Sequence, residues 1–425
     1  MNFYTAMEYI EEKNKLGVVP GLDNIIELLT RLGSPQNKVK CLHIAGTNGK
    51  GSIFSFVENV LIDAGYKVGR YISPTIFEYL ERFQINKNIM HEDTFAAYID
   101  KVSKVIRKME AEGLPSPTAF EIETAVAFLY FADELCDFCL IECGMGGTLD
   151  ATNVIDNPLV CAFASISMDH MQFLGNSLSE IATNKAGIIR DNAICISAPQ
   201  KDESSKVLKA VAAAHQCNYY MASMNDVSDI NYHISGTSFS YRGESYEISL
   251  LGIHQISNAI TAIEIINAIA KLSCGDRISL NNIKNGLANT VWPGRMTKIS
   301  ENPYIFVDGA HNEDAWLCLC QNINKYFTNR RIIYIIGVLK DKEYSKMVDI
   351  LCDSMEYAIA ITPNSPRGLD KNVLAGLILD KNIRCSLADN CDEAMHLALD
   401  YATKDDVILV CGSLSFLKEY LTWSQ

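Results

Sequence analysis

A glycine-rich segment that follows an apolar run has the composition of a phosphate-binding loop. The segment reads GTNGKGS at positions 46–52, after the run Val39–Ala45 and before apolar residues at helical spacing. Glycines let backbone N–H groups approach phosphate oxygens, the next helix N-terminus carries partial positive charge, and a lysine reaches the terminal phosphates. Ile44 replaces the first glycine of the GxxxxGK[ST] pattern, and a glycine separates the lysine from the hydroxyl residue, so the loop is a variant. The alternative is an ordinary glycine turn between a strand and a helix.

Two more polar side chains follow apolar runs that read as buried strands. Glu142 precedes the glycines at positions 144–147, and His170 follows the run Leu159–Ser167. Ligands bind at the carboxyl ends of parallel strands, so both side chains are candidate magnesium ligands opposite the phosphate loop. Magnesium prefers oxygen, and a histidine ligand therefore suggests a second metal site. The alternatives are a salt bridge from Glu142 to a nearby Arg or Lys and a structural role for His170.

Further charged residues stand where ligands bind in α/β proteins. Lys185 lies on a predicted helix, where it is either a solvated surface lysine or a phosphate contact. Arg295 follows a Pro-Gly pair, and Asp308 and His311 follow the predicted strand Tyr304–Val307. An aspartate in such a position can also simply cap the next helix.

Alternating strands and helices must position these residues. The alternation predicts a mostly parallel sheet with chemistry at the carboxyl ends of its strands. Thr118 and Glu121 predict a capping box at the start of a buried helix. The segment Tyr232–Leu250 alternates with a period of two and predicts antiparallel hairpins at the edge of the sheet. The predicted strands of the first part of the chain are Val39–Ala45, Lys67–Ile72, Phe138–Cys143, Leu159–Ser167 and Ala193–Ser197.

The strand–helix alternation restarts at Tyr304. Roughly 125 residues remain there, enough for a separate α/β domain, and we predict domains at residues 1–296 and 297–425. The strands predicted in the second domain are Tyr304–Val307, Arg331–Gly337, Tyr357–Thr362 and Val407–Cys411.

Composition excludes several classes of protein. The net charge of −14 argues against a nucleic-acid surface, which is normally basic. No apolar run approaches the length of about 20 residues that a membrane helix needs, and Met1–Lys15 lacks the apolar centre of a signal peptide. The 14 cysteines are scattered, and several stand in apolar strands, which favours reduced core residues. We therefore expect a cytoplasmic protein.

Six motifs occur in an order that is typical of one family. Together they resemble folylpolyglutamate synthase and bifunctional dihydrofolate synthase, members of the Mur ligase superfamily of ATP-dependent amide-forming enzymes. The resemblance covers nearly the whole chain, and six ordered motifs are far more specific than any one. It implies an N-terminal P-loop ATPase-like domain with a mostly parallel sheet and a small antiparallel sheet, followed by a C-terminal Rossmann-like α/β domain. The motifs are AGTNGKGS (45–52), ECGMGGTLDATN (142–153), SMDHMQFLG (167–175), NKAGIIR (184–190), WPGR (292–295) and VDGAHN (307–312).

The resemblance also implies roles for individual residues. The positions that match nucleotide contacts are Gly49, Lys50, Gly51, Ser52, Asn258, Arg295 and Asp308. The implied ligands of two magnesium ions are Ser73, Glu142 and His170, and Lys185 matches a lysine that is carbamylated in the family. The pterin would lie near Thr118, Phe120, Asp150 and Ala151. Phe120 offers a stacking face, with plain core packing as the alternative. His311 and Ser413 match positions tied to the incoming glutamate.

The implied reaction forms an amide at the expense of ATP. Transfer of the γ-phosphoryl group converts a pteroate or folate carboxylate into an acyl phosphate, which the amine of L-glutamate attacks. Lys50, Glu142, His170, Lys185 and His311 would carry the catalysis. We expect a monomer that acts on dihydropteroate or reduced folates, with no nucleic-acid or membrane partner. The alternatives are a Mur-type amino-acid ligase for another carboxylate and a nucleotide-binding regulatory module without ligase activity. The segment at positions 75–78, TIFE, departs from the usual family pattern, so folate selectivity is the least constrained feature.

Overall fold

The chain forms two compact units in the computed structural model, which describes residues 1–17, 19 and 21–423. Unit 1 consists of Met1–Asn225 and Ser257–Asn289, and unit 2 consists of Asp226–Ile256 and Thr290–Gln425.

Unit 1 is built on an eight-stranded sheet, as counted in the described residues, with the strand order β4-β3-β2-β5-β1-β6-β7-β8. Six neighbouring strands pair in parallel, in the order β2-β5-β1-β6-β7-β8. Strands β3 and β4 are antiparallel additions at the edge next to β2. The strand bounds are β1 Cys41–Ala45, β2 Val68–Tyr71, β3 Phe83–Ile85, β4 Asn88–Ile89, β5 Phe138–Glu142, β6 Val160–Phe163, β7 Ile194–Ser197 and β8 Asn218–Met221.

Helices cover both faces of this sheet, so its central strands are buried on both sides and read as continuous apolar runs. The predicted capping box is confirmed: Thr118 accepts a hydrogen bond from the Glu121 N–H, and the Glu121 carboxylate accepts one from the Thr118 N–H. The helices are α1 Phe3–Asn14, α2 Asp23–Arg31, α3 Lys50–Asp63, α4 Glu92–Ala111, α5 Ala119–Asp133, α6 Met171–Leu174, α7 Leu178–Ala186, α8 Asp202–Ala214, α9 Gln255–Ala270 and α10 Leu280–Ala288.

The hairpins predicted at Tyr232–Leu250 exist, but their expected place at the edge of the large sheet is wrong. They form a separate antiparallel sheet of order β11-β10-β9, which belongs to unit 2. Alternation buries one face of this ribbon through residues such as Phe239 and Tyr246, and a period of two does not specify which strand lies next to which. The strands are β9 Val227–His233, β10 Gly236–Tyr241 and β11 Glu244–Ile248.

The rest of unit 2 is a six-stranded sheet, again counted in the described residues, of order β12-β13-β17-β14-β15-β16. All its pairs are parallel except β12 with β13, as expected for a Rossmann-like α/β unit. Its strands are β12 Thr297–Glu301, β13 Tyr304–Asp308, β14 Ile332–Ile336, β15 Met355–Ile361, β16 Arg384–Ala388 and β17 Val407–Cys411. Its helices are α11 Glu313–Tyr326, α12 Tyr344–Leu351, α13 Lys371–Leu379, α14 Cys391–Tyr401 and α15 Leu417–Leu421.

All 14 cysteines are free, including Cys136 and Cys139, which have the spacing of a CxxC motif. Within the described residues, no helix has both the length and the apolar character needed to cross a bilayer.

Candidate active site

The glycine-rich turn lies between the central strand β1 and the N-terminus of α3, which begins at Lys50. Gly46 and Gly49 have φ angles of 151° and 95°, in a region that side-chain-bearing residues rarely adopt. Gly51 and Ser52 lie in the first turn of α3, where the helix carries partial positive charge. The turn therefore has the geometry of an anion-binding helix N-terminus.

Neighbouring atoms leave no room for a side chain at either Gly46 or Gly49. A Cβ atom on Gly46 would lie 2.6 Å from the Cβ of Ala164. A Cβ atom on Gly49 would lie 2.5 Å from Asn258 Oδ1. Asn258, on α9, is thereby placed directly against the loop that the sequence predicts to hold phosphate.

Hydrogen bonds tie the loop to the segment that follows β6. The backbone N–H groups of Thr47 and Asn48 donate to the Ser165 carbonyl at 2.7 and 3.2 Å. The Thr47 hydroxyl donates to the Ser167 carbonyl and accepts from the Ser167 N–H, both at 3.1 Å. The segment leading to His170 is thus fixed to the phosphate loop.

Two lysines donate to the same backbone oxygen. Lys50 Nζ lies 3.1 Å and Lys185 Nζ lies 2.9 Å from the Gly46 carbonyl oxygen. Lys185 is only 4% exposed, so it is not the surface lysine that remained an alternative from sequence. Burial, together with the nearby positive charge of Lys50, lowers the pKa of Lys185 to about 7.

Glu142 ends β5, next to β1, and its side chain is buried. Its Oε1 lies 3.6 Å from Lys50 Nζ. The salt bridge that the sequence left as an alternative is therefore present, but its partner is the lysine of the phosphate loop. Glu142 belongs to this cluster of Lys50, Lys185 and the Gly46 carbonyl.

His170 is partly exposed, unlike the buried Glu142 and Lys185. It precedes α6 with a positive φ of 50°, and its side chain is 47% exposed. Its ring Nε2 lies 4.0 Å from Asp169 Oδ2, and its backbone N–H donates to Asp169 Oδ1 at 2.9 Å. Asp169 was not predicted as a site residue, although it stands in the SMDH motif, and its charge opposes the lowering of the Lys185 pKa.

The donor set fits a magnesium ion that keeps several of its water ligands. In the described residues there is no group of three His, Cys, Asp or Glu side chains arranged to hold a metal ion. Glu142 supplies a carboxylate at a strand end, and Ser73, half-buried just beyond β2, supplies a hydroxyl. Magnesium is commonly bound through one or two carboxylates plus substrate phosphates and waters, so a sparse oxygen set beside a phosphate loop is adequate.

Asp150 is buried and bound by backbone and hydroxyl donors. Its Oδ2 accepts from the Met145 N–H at 2.8 Å, and its Oδ1 accepts from the N–H and the hydroxyl of Thr152 at 3.0 and 2.5 Å. Burial raises the pKa of Asp150, and these donors act in the opposite direction. Ala151, also buried, begins the short 3-10 segment Ala151–Val154.

Phe120 takes part in core packing, which the sequence left as the alternative to a stacking face for the pterin. Its ring is half-buried, packs against the apolar core and stacks on Tyr71 with a centroid distance of 6.0 Å. A Cβ atom on Gly144 would lie 2.6 Å from Phe120 Cζ, so the ring touches the loop that follows β5. The hydroxyl of Thr118 is used in the cap of α5.

Unit 2 holds a second cluster of predicted site residues at the end of β13. Asp308 accepts from the backbone N–H groups of Met296 and Ala310 at 2.9 and 2.8 Å. The positive charge of Arg295 interacts electrostatically with the Asp308 carboxylate. The helix-capping alternative does not apply, because Asn312 caps α11.

His311 and Ser413 follow two paired strands of unit 2, β13 and β17. His311 Nδ1 donates to the Gly309 carbonyl at 2.8 Å, which assigns the neutral ring proton to Nδ1. The Ser413 hydroxyl accepts from the Ser415 N–H at 3.2 Å.

Comparison with known proteins agrees with this geometry. Residues 44–266 match the Mur ligase middle domain, and residues 294–414 match the Mur ligase glutamate ligase domain. The dihydrofolate synthase/folylpolyglutamate synthase of Bacillus subtilis is 34% identical, with 98% of each chain covered. The Mycobacterium tuberculosis folylpolyglutamate synthase solved with ADP and AMPPCP superposes with a TM-score of 0.87 at 27% identity, covering 100% of both chains. Escherichia coli FolC, solved with DHPP and ADP, gives a TM-score of 0.85 at 27% identity, covering 99% of this chain and 97% of that one.

The matched domains cover the phosphate loop in unit 1 and the Asp308 cluster in unit 2. Sequence similarity extends over nearly the full length of the relatives, and the fold agrees over the same range. The chain therefore belongs to the dihydrofolate synthase/folylpolyglutamate synthase family of Mur ligases and is an ATP-dependent ligase.

Proposed function

We propose that the enzyme activates the carboxylate of a pteroate or folate as an acyl phosphate and joins it to L-glutamate. Two kinds of observation support this proposal. The relatives with near full-length similarity are named for dihydrofolate and folylpolyglutamate synthesis. The cluster of Lys50, Glu142 and Lys185 around the Gly46 carbonyl supplies charge where a nucleotide phosphate would lie.

Gly49, Lys50, Gly51 and Ser52 hold the β- and γ-phosphates in this proposal. Backbone N–H groups at the start of α3 stabilise the charge that spreads over the transferring phosphoryl group, and the Lys50 ammonium adds a positive charge to them. Asn258 borders the same loop through Gly49. Arg295 and Asp308 contact another part of the nucleotide.

Ser73, Glu142 and His170 would hold two magnesium ions. When bound, magnesium neutralises phosphate charge and so eases phosphoryl transfer to a carboxylate. Glu142 lies 3.6 Å from Lys50, so its buried charge has a positive partner, and a magnesium ion would supply another.

Lys185 is carbamylated in the active form. Its neutral amine adds to the carbon of dissolved CO2 and loses a proton to solvent, which converts a cation into a carbamate anion. The lowered pKa supports this step because only the unprotonated amine has the lone pair that attacks. The product would place negative charge beside Lys50, where two ammonium groups otherwise face one carbonyl.

Thr118, Phe120, Asp150 and Ala151 border the pterin, with Phe120 as a stacking surface. His311 and Ser413 bind the glutamate that attacks the acyl phosphate. We propose domains at 1–296 and 297–425, which the family matches at 44–266 and 294–414 support. We also propose that the enzyme is a monomer in the cytoplasm. Its free cysteines are consistent with a reducing compartment.

Phosphate release in the presence of ATP and magnesium tests the function. We expect release only when dihydropteroate or a reduced folate is present together with L-glutamate, with a product heavier by one glutamyl residue in mass spectrometry. Turnover with a cell-wall precursor but with neither pteroate nor folate would instead establish the Mur-type alternative, which the relatives do not favour. Separate assays with dihydropteroate and with reduced folates determine whether both synthase activities are present.

A further inference from the structure

A buried histidine in the middle of β1 has no role in the function proposed above. His43 is fully buried, and its Nε2 lies 2.8 Å from the Thr152 hydroxyl oxygen and 3.1 Å from Cys143 Sγ. Its Nδ1 has no hydrogen-bond partner in the described part of the chain. A buried polar atom without a partner costs about 1–3 kcal/mol, so an apolar residue would be more stable here unless the other nitrogen is needed.

Thr152 has two possible acceptors for its hydroxyl proton, Asp150 Oδ1 at 2.5 Å and Cys143 Sγ at 3.6 Å. The proton goes to Asp150, since an ionised carboxylate oxygen at this distance is a far stronger acceptor than a thiol sulfur and only accepts. The hydroxyl oxygen must then accept from His43, which assigns the ring proton to Nε2 and leaves Nδ1 as an acceptor. The reverse order would need a protonated Asp150 and would bury an N–H donor at Nδ1 without a partner, which is rarer than an unpaired acceptor.

The other end of this network lies at the substrate side of the site. Asp150 accepts from the Met145 N–H through its second oxygen, and Met145 follows Gly144, against which the Phe120 ring lies. The hydrogen bonds therefore connect His43 through Thr152 to Asp150, which accepts from both Thr152 and the loop that borders the predicted pterin site. All three side chains are at least nine-tenths buried, so water does not compete for these bonds.

We propose that His43 and Thr152 are positioning residues that fix the Asp150 carboxylate and the residue 144–145 backbone for an aminopteridine ring. This inference rests on the proposed function, because it takes Phe120 and Asp150 as the substrate end of the site. Neither residue touches the substrate. Their effect is on the orientation of groups that do.

Two matched pairs of variants separate hydrogen bonding from packing. Thr152→Val removes the hydroxyl at nearly constant shape, whereas Thr152→Ser keeps it. His43→Leu removes the donor, whereas His43→Gln retains an N–H near the Nε2 position. We expect Thr152→Val and His43→Leu to raise KM for the pteroate or folate about tenfold, the effect of one lost buried hydrogen bond. KM for ATP should change less than about twofold, and the Ser and Gln variants should stay near wild type.

Cys41→Ala is the control for packing within β1, since Cys41 is buried two residues from His43 and lies outside this network. It should lower stability and leave every KM unchanged. Equal increases in KM for ATP and for pteroate in Thr152→Val, or a Ser variant as impaired as the Val variant, would overturn the inference.

The tautomer of His43 gives a readout without turnover. Burial lowers the pKa of His43 to about 3, so at neutral pH the ring carries a single proton. Long-range 1H–15N NMR of the substrate-free enzyme should show that proton on Nε2. A proton on Nδ1 overturns the inference even in an enzyme that uses folates. A proton on Nε2 in an enzyme that turns over no pteroate or folate would support the hydrogen-bond network and overturn the proposed substrate.

Discussion

Lys50 and Lys185 share one acceptor, the carbonyl oxygen of Gly46, at 3.1 and 2.9 Å. Two ammonium groups around one oxygen repel each other, and that repulsion contributes to the lowered pKa of Lys185. An anion in the place of one of them would remove the repulsion, as carbamylation of Lys185 would do.

Lys185→Ala should reduce kcat by about 100-fold or more, as expected when a charged group at the reacting centre is lost. A short carboxylic acid added to the assay should restore part of the activity by occupying the vacated space. Lys209→Ala, on the exposed side of α8, is the matched control and should behave as wild type. Full activity of Lys185→Ala would contradict the proposed role.

The carbamate itself should depend on pH in one direction. The pKa of Lys185 is lowered to about 7, so the reactive neutral amine predominates above that pH and is lost below it. At a fixed concentration of dissolved 13CO2, the carbamate signal in 13C NMR should therefore increase as the pH rises through about 7. The same signal should be absent from Lys185→Ala, and a signal that falls over this pH range would refute the assignment.

Gly49→Ala should raise KM for ATP by at least about tenfold, because a Cβ atom would displace Asn258 and strain a left-handed backbone. Gly65→Ala provides the comparison: its φ of 80° imposes similar strain, but its Cβ would meet nothing within 4 Å. That variant should lose about 1 kcal/mol of stability with an unchanged KM. Equal KM values for the two variants would show that the contact with Asn258 has no importance for nucleotide binding.

Glu142→Gln should weaken activation by magnesium. The amide retains the shape but not the charge, so we expect the half-saturating magnesium concentration to rise at least about tenfold, and chelation should abolish phosphate release from the wild-type enzyme. Glu134→Gln, which affects only the exposed pair with Lys67, is the control. A lower kcat with an unaltered magnesium requirement would mean that Glu142 serves only as the counter-ion of Lys50.

Glu123 anchors the loop that precedes β3. Its carboxylate accepts from Arg82 and from the Tyr79 hydroxyl, in a largely buried ion pair. Removing one partner of a buried pair leaves the other uncompensated, so Glu123→Ala should lower the free energy of unfolding by about 3–5 kcal/mol in urea titrations. Glu134→Ala breaks a solvent-exposed pair with Lys67 and should cost less than about 1 kcal/mol. Similar losses for the two variants would contradict this account.

Apolar runs predicted the positions of the central strands along the chain well, but not their order in the sheet. Predicted and observed strands agree to within a few residues; for example, Val407–Cys411 is the same in both. The turn at Gly46 and the capping box at Thr118 were also predictable, because each depends on residues a few positions apart. The placement of β9–β11 was not, since alternation specifies a strand but not its neighbour.

The site was predictable in its motifs but not in its long-range contacts. The glycines and the lysine of the loop indicated phosphate, whereas the buried Lys185 donates its hydrogen bond to Gly46, 139 positions away. His43 and Thr152 are 109 positions apart, and the motif that contains Thr152 gives no indication of its contact with His43. Such networks become visible only when the sheet brings β1 next to the loop that follows β5.

The pairing of Thr47 and Asn48 with Ser165 and Ser167 has a mechanical consequence. These four residues make a short rigid link between the segment that receives the nucleotide and the one that carries His170. We therefore expect a backbone shift of the first segment on ATP binding to move the second as well, so that filling of the phosphate loop and the position of the imidazole change together.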